Sequence, residues 1–212
     1  MERWTFMGLV RRKLEADHLA REQTLRLSRT IIQLCANAIR ATHRQEFDQA
    51  QRLLGQAREA VSQMHQAVMG QAETLCGGII HDAEKEYAEA WATLHLVLGR
   101  ELPNPDSLQV GYAAYLNGLG EAAGELRRYI LDTLRRGEVG RSEELLDIID
   151  DIYTLLVTID LPDAVTGGLR RTTDMVRGVL ERTRGDLTLA RQQQGLNQQI
   201  NALSRRLDDW HE

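Results

Sequence analysis

The stretch GLGEAAGELRR (118–128) decides how this chain folds. It is either a glycine-rich loop that cradles a phosphate or a helix that carries two carboxylates. A dinucleotide-binding turn needs G-x-G-x-x-G between a strand and a helix. Here Gly118, Gly120 and Gly124 make the last interval one residue too long. The residues in front, GYAAYLN (111–117), are not a β-branched run, and no Lys-Ser/Thr follows, so a P-loop fails as well. Leu108, Tyr112, Leu116, Leu119, Ala123, Leu126, Ile130 and Leu134 recur every three or four residues straight through the stretch. That is a helical period. The spacing predicts a helix over 108–136, with the glycines inside it allowing close approach of a neighbour.

The rest of the chain agrees. It has 212 residues, 42% hydrophobic and 27% charged, enough for one domain with a real core. Ala, Leu, Arg, Glu and Gln dominate, all good helix formers. Alternating β-branched runs are missing, and only three prolines occur, Pro103, Pro105 and Pro162. An all-α protein follows: an antiparallel bundle of six or seven long helices, in a single domain over 1–212. Helices are predicted over 2–42, 48–68, 72–98, 108–136, 143–160 and 166–207. Gly70 marks a break, and Gly77-Gly78 a strained point in the third helix. Asp106 or Ser107 is expected to cap the fourth helix and Ser142 the fifth.

Composition also excludes functions. The net charge of −5 rules out a chain that is basic as a whole, so a nucleic-acid role needs a local basic surface. Lys occurs only at 13 and 85, and Arg supplies the other 24 of 26 basic residues. Cys35 and Cys76 have no metal-ligand spacing and read as reduced, buried thiols. No signal peptide and no membrane-spanning run is seen, which points to a cytoplasmic protein without a membrane partner.

Two patterns carry chemistry. Glu121 and Glu125 are four residues apart and share a helix face, opposite the apolar stripe. In HDAEKEYAEAW (81–91), Asp82, Glu86 and Glu89 share a face pointing away from Ile80, Ala83, Tyr87, Trp91 and Leu94. Were these two helices antiparallel neighbours, four carboxylates would converge in the groove between them. Hard divalent cations take such oxygen ligands, and they support phosphodiester hydrolysis. Acidic residues opposite an apolar stripe are otherwise an ordinary solvated face. A di-iron centre needs Glu-x-x-His on two helices, which the six scattered histidines do not supply. The second pattern is on the first helix, where Arg26, Arg29, Gln33, Asn37, Arg40 and Arg44 form one stripe. Arginines interleaved with amides can follow a phosphate backbone, or form a solvated outer face.

These residues resemble the translin superfamily, the group of translin, translin-associated factor X and their prokaryotic relatives. LSRTIIQLCANAIRATHR (27–44) is similar to the family's N-terminal helix, and EKEYAEAW (84–91) to its E-Y-x-E-A segment. GYAAYLNGLGEAAGELRR (111–128) resembles the segment ending D-L-x-G-E-L-x-R, and MVRGVLERTRGDLT (175–188) fits the long C-terminal helix. The resemblance covers most of the chain from Arg21 onward. It implies about seven helices per protomer in a closed homo-oligomer, a hexamer or an octamer, that binds single-stranded RNA and also single-stranded DNA. It also implies Mg²⁺-dependent endoribonuclease activity of the factor X type. The family's acidic residues carry over to Glu86, Glu89, Glu121 and Glu125, as metal ligands and catalytic groups. Arg26, Arg29, Arg40 and Arg44 would then guide the nucleic acid. The family's Asp is Glu121 here, a longer side chain that alters the metal geometry. The alternative is a non-catalytic nucleic-acid-binding or scaffold protein, whose acids serve assembly or solubility. The scarcity of aromatics argues against recognition by base stacking.

Overall fold

The computed structural model describes residues 6–69, 73–137 and 140–208, and all their regular structure is helical. The elements are α1 (Met7–His43), α2 (Phe47–Val68), α3 (Glu73–Leu98), α4 (Pro105–Leu108), α5 (Tyr112–Arg135), α6 (Gly140–Val157), α7 (Asp163–Thr166) and α8 (Leu169–Asp208). Six are long and two are single turns. Among the described residues no helix is long and apolar enough to cross a membrane.

Short connections make successive long helices antiparallel. Arg58 reaches Tyr87 and His65 reaches Glu84, so α2 runs down as α3 runs up. Arg184 with Asp150, and Arg191 with Glu143, fix α6 against α8 in the same way. One adjacent pair differs. Glu84 accepts a hydrogen bond from the Gly111 N–H at 2.8 Å, and Lys85 pairs with Glu121. Residue numbers rise together, so α3 and α5 are neighbours that run parallel, where the carboxylate argument supposed an antiparallel pair. The cause is the segment 99–111, which carries the chain back along the bundle before α5 begins. Two three-helix units therefore meet on the α3–α5 seam.

Each unit has its own apolar core. Ile31, Cys35, Leu54, Met64, Tyr87 and Leu94 form the first. Leu119, Leu126, Ile130, Leu145, Ile149, Leu156 and Val176 form the second. Phe47 and Tyr115 pack against both. Each fully buried Leu or Ile contributes roughly 2 kcal/mol.

The glycine-rich stretch lies inside α5, which is covered on several sides by α3, α6 and α8. A Cβ on Gly118 would overlap the Lys85 carbonyl oxygen and come within 2.9 Å of the Ala88 Cβ and the Glu89 nitrogen. A Cβ on Gly120 would collide with Thr172 of α8 and meet Leu156 of α6 at 3.2 Å. Gly124 has open space. Two of the three glycines are thus needed by close helix packing, and none by a phosphate.

Several boundaries differ from expectation. The helix predicted over 108–136 is interrupted, because Gln109 takes a left-handed φ of 57° and Gly111 is extended. Tyr112 is consequently exposed, its hydroxyl donating to Asp106, and is not part of the core stripe. Neither Asp106 nor Ser107 caps the long helix: α5 starts after Gly111 without a side-chain cap, and both residues lie in the single turn α4, where Asn104 is the cap, its side-chain oxygen accepting the Ser107 N–H at 2.7 Å. Ser142 lies buried within α6 against Thr133 instead of capping it. The last long helix begins at Leu169, after Gly167 and Gly168 with positive φ. α3 passes unbroken through Gly77 and Gly78, where an added Cβ would meet nothing. Gly70 lies outside the described residues.

Candidate metal centre on the α3–α5 seam

Glu86 and Glu89 project from one face of α3, one turn apart. Glu121 faces them from α5, at the level where Gly118 lets the two backbones close up. One carboxylate oxygen from each lies within 4.8 Å of the others. The site is only partly open to solvent: Glu89 is buried, and the Glu86 and Glu121 side chains are half-buried. The Cys35 thiol, buried on α1, is pushed far up by burial and by the charges of Glu86 and Glu89, which places α1 against the same carboxylates. The acidic faces lie opposite their apolar stripes as the periodicity requires, but α1 packs against α3 beside Glu86 and Glu89.

Confinement makes the cluster electrostatically costly. Glu89 is 9% exposed. Burial first, then the charges of Glu86, Glu121 and Glu125, push its carboxyl up to about 8. Among the described residues no hydrogen bond reaches it. Glu86 is also raised, by burial foremost, with Lys85 opposing. Lys85 supplies a positive charge to the cluster: its Nζ lies 2.7 Å from Glu121 and 3.8 Å from Glu86. Its own proton is held more tightly than usual; burial works against this, and the hydrogen bond and charge of Glu121 outweigh it. Asp82 is exposed and adds charge from the rim.

Glu125 stands apart from the trio. Its Oε2 is 2.5 Å from His43 Nε2 at the end of α1, and Arg128 lies 3.7 Å away. The His43 hydrogen bond holds its carboxyl below the usual range, against the effect of burial. The His43 ring is buried beside Tyr129, at 6.2 Å between centroids. Of the four predicted glutamates, then, three come together and the fourth is held by a histidine nearby. Sequence reasoning missed Lys85 and His43. One signal was present: Lys85 is one of only two lysines.

Arg26, Arg29 and Arg40 are exposed on α1, and Arg44 is exposed at its C-cap. Among the described residues none forms an ion pair, and Arg40 donates to Asn37 at 2.7 Å. Arg40 and Arg44 flank His43 in the chain, so the stripe ends beside the residue that holds Glu125.

No protein-family model matches the chain. An uncharacterised protein of Methanocaldococcus jannaschii is 28% identical over 169 residues, covering 79% of this chain and 74% of its own length. AfC3PO is 30% identical, with a TM-score of 0.80 over 87% of this chain and 96% of its own. A second AfC3PO structure, a complex with duplex RNA, superposes with a TM-score of 0.77 at the same identity and coverage. Apo-NeC3PO is 17% identical and shows the same fold, with a TM-score of 0.81 over 90% of this chain and all of its own. AfC3PO and NeC3PO are translin-family proteins. With the ordered segments in α1, α3, α5 and α8 and the shared helical architecture, the chain belongs to the translin superfamily.

Proposed function

We propose that the chain is an RNA-binding, Mg²⁺-dependent endoribonuclease that works as a homo-oligomer. The observation that carries this reading is the trio Glu86, Glu89 and Glu121, with Glu89 buried among like charges and left without a hydrogen bond. Three hard oxygen donors with an excess of negative charge fit a divalent cation such as Mg²⁺, and these three residues would hold it. Such an ion, when bound, lowers the pKa of water and neutralises the leaving oxygen. Glu125 remains ionised beside His43 and leaves its Oε1 to accept a proton from the attacking water.

Binding is assigned to the exposed arginine stripe of α1, which suits phosphates. The AfC3PO complex contains duplex RNA, whereas the family resemblance implied single strands, so both forms belong in the test. Leu189, Leu196, Ile200 and Leu203 on α8, and Met7, Val10 and Leu14 on α1, are exposed at helical spacing. Such stripes support association with further copies. The free thiols of Cys35 and Cys76 suit the reducing cytoplasm.

The test incubates labelled single-stranded and duplex RNA with the protein and Mg²⁺. An EDTA lane and the Glu89→Ala/Glu125→Ala protein stand alongside, and light scattering reports the oligomer. Cleavage lost in both controls supports the reading. RNA that is bound but intact in every lane leaves a binding protein. The replacement of the family's Asp by Glu121, already engaged by Lys85, is the feature that favours this second reading.

A further inference from the structure

We propose that Lys85 is a tethered cation that stands in for the metal ion in the metal-free protein and is expelled from the carboxylates when the ion binds. This rests on the metal-centre reading above. The geometry is that of a shared counter-ion. The ammonium touches Glu121 of α5 and lies 3.8 Å from Glu86 of α3, two of the three ligand candidates, on both helices of the seam. Its side chain is only 22% exposed. Without it, three clustered carboxylates, one of them buried, would face each other across a tightly packed seam.

The choice of lysine fits a group that must leave. The chain uses Arg for 24 of its 26 basic residues. A guanidinium would grip carboxylates through a rigid fork, whereas an ammonium is a compact point charge on a flexible stem. The Lys85 backbone is seated in the seam, its carbonyl packed against Gly118. Only the side chain is available for exchange. Asp82, one turn back and exposed, already acts on Lys85 by its charge and can receive it. Ion and ammonium thus compete for the same oxygens, and Lys85 weakens metal binding while it steadies the metal-free bundle.

The variant Lys85→Met keeps the aliphatic stem and removes the charge. Calorimetry should show Mg²⁺ binding tighter by roughly tenfold, as expected for loss of one nearby like charge at a partly exposed site. Its metal-free Tm should fall, and saturating Mg²⁺ should raise that Tm by more than it raises the wild type's. The wild type offers a readout that needs no variant. Labelled with ¹³C at lysine Cε, it gives two side-chain signals. Mg²⁺ should move that of Lys85 and leave that of Lys13, which pairs with Asp17 on α1. Equal Mg²⁺ affinity in both proteins, with the Lys85 signal unmoved, overturns the exchange and leaves the metal centre standing. Absence of Mg²⁺ binding from both proteins overturns the metal centre, and the exchange with it.

Discussion

Glu84 and Glu89 stand five residues apart on α3 and are equally buried, at 7% and 9% exposure. Their surroundings are opposite. Glu84 is fully answered: one oxygen meets His65 at 2.7 Å and the other accepts the Gly111 N–H at 2.8 Å. It fixes the start of α5 against α3. Glu89 lies among three other carboxylates with no hydrogen-bond donor among the described residues, and burial first and then those charges raise its proton affinity. The difference teaches that burial of an acid does not mark a site; an unanswered burial does. A satisfied carboxylate stabilises the fold, whereas one left among like charges costs stability and calls for a cation.

The sharpest way to break this comparison is catalytic. Glu89→Gln should lower Mg²⁺-dependent RNA cleavage by roughly 100-fold or more, through loss of a ligand. Glu84→Gln retains an acceptor for Gly111 and a donor for His65, and should cleave within a few-fold of wild type. Equal losses in the two variants would erase the distinction drawn between them.

Stability should sort the pair the other way. Glu84→Ala leaves the Gly111 N–H and the His65 ring without their partner and should cost about 2–3 kcal/mol. Glu89→Gln in EDTA should be neutral or stabilising, since an amide escapes the cost of either taking up a proton or holding a charge among carboxylates. Urea unfolding of the metal-free proteins measures both. A Glu89→Gln protein that unfolds as early as Glu84→Ala would mean that Glu89 has a structural partner after all.

The pH dependence follows with a definite sign. The folded-state value of Glu89 lies near 8, above the unfolded value of about 4.3. Between these the folded protein binds the extra proton, so metal-free stability should fall as pH rises from about 5 to 8. Glu125 behaves conversely. Its value is lowered by His43, so its contribution is present at neutral pH and is lost only as pH falls through its folded-state value. Melting curves in EDTA across pH 5 to 8 should slope downward for wild type and flatten for Glu89→Gln.

Much of this was legible in the sequence. The periodicity through 118–128 placed α5 as a helix, and the spacings of Glu86–Glu89 and Glu121–Glu125 placed each pair on one face. What periodicity does not encode is which helix lies against that face. The parallel run of α3 and α5 depends on the return path of 99–111, and the packing beside Glu86 and Glu89 depends on α1. Lys85 and His43 were invisible for the same reason. Lys85 stood out only as one of two lysines, and His43 only as one of six scattered histidines. Their meaning comes from partners 36 and 82 residues away. The reading of the three glycines as points of close approach holds for Gly118 and Gly120 and not for Gly124, and which neighbour each admits is a tertiary fact.

The smallest effects belong to the arginines, and they sharpen the contrast between seam and surface. Arg26, Arg29, Arg40 and Arg44 are exposed and, among the described residues, form no ion pair, so replacing any one by Ala should change stability by no more than about 0.5 kcal/mol. Each replacement should weaken RNA binding by only a few-fold and reduce the salt slope by about one. Position then decides what the stripe does. Arg40 and Arg44 flank His43, whose ring holds Glu125, while Arg26 and Arg29 lie several turns back along α1. If the bound strand runs along α1 into the carboxylates, Arg40→Ala and Arg44→Ala should slow cleavage more than they weaken binding. Arg26→Ala and Arg29→Ala should lower both in proportion. Four identical variants would make the stripe a general phosphate-binding surface that does not lead to the seam.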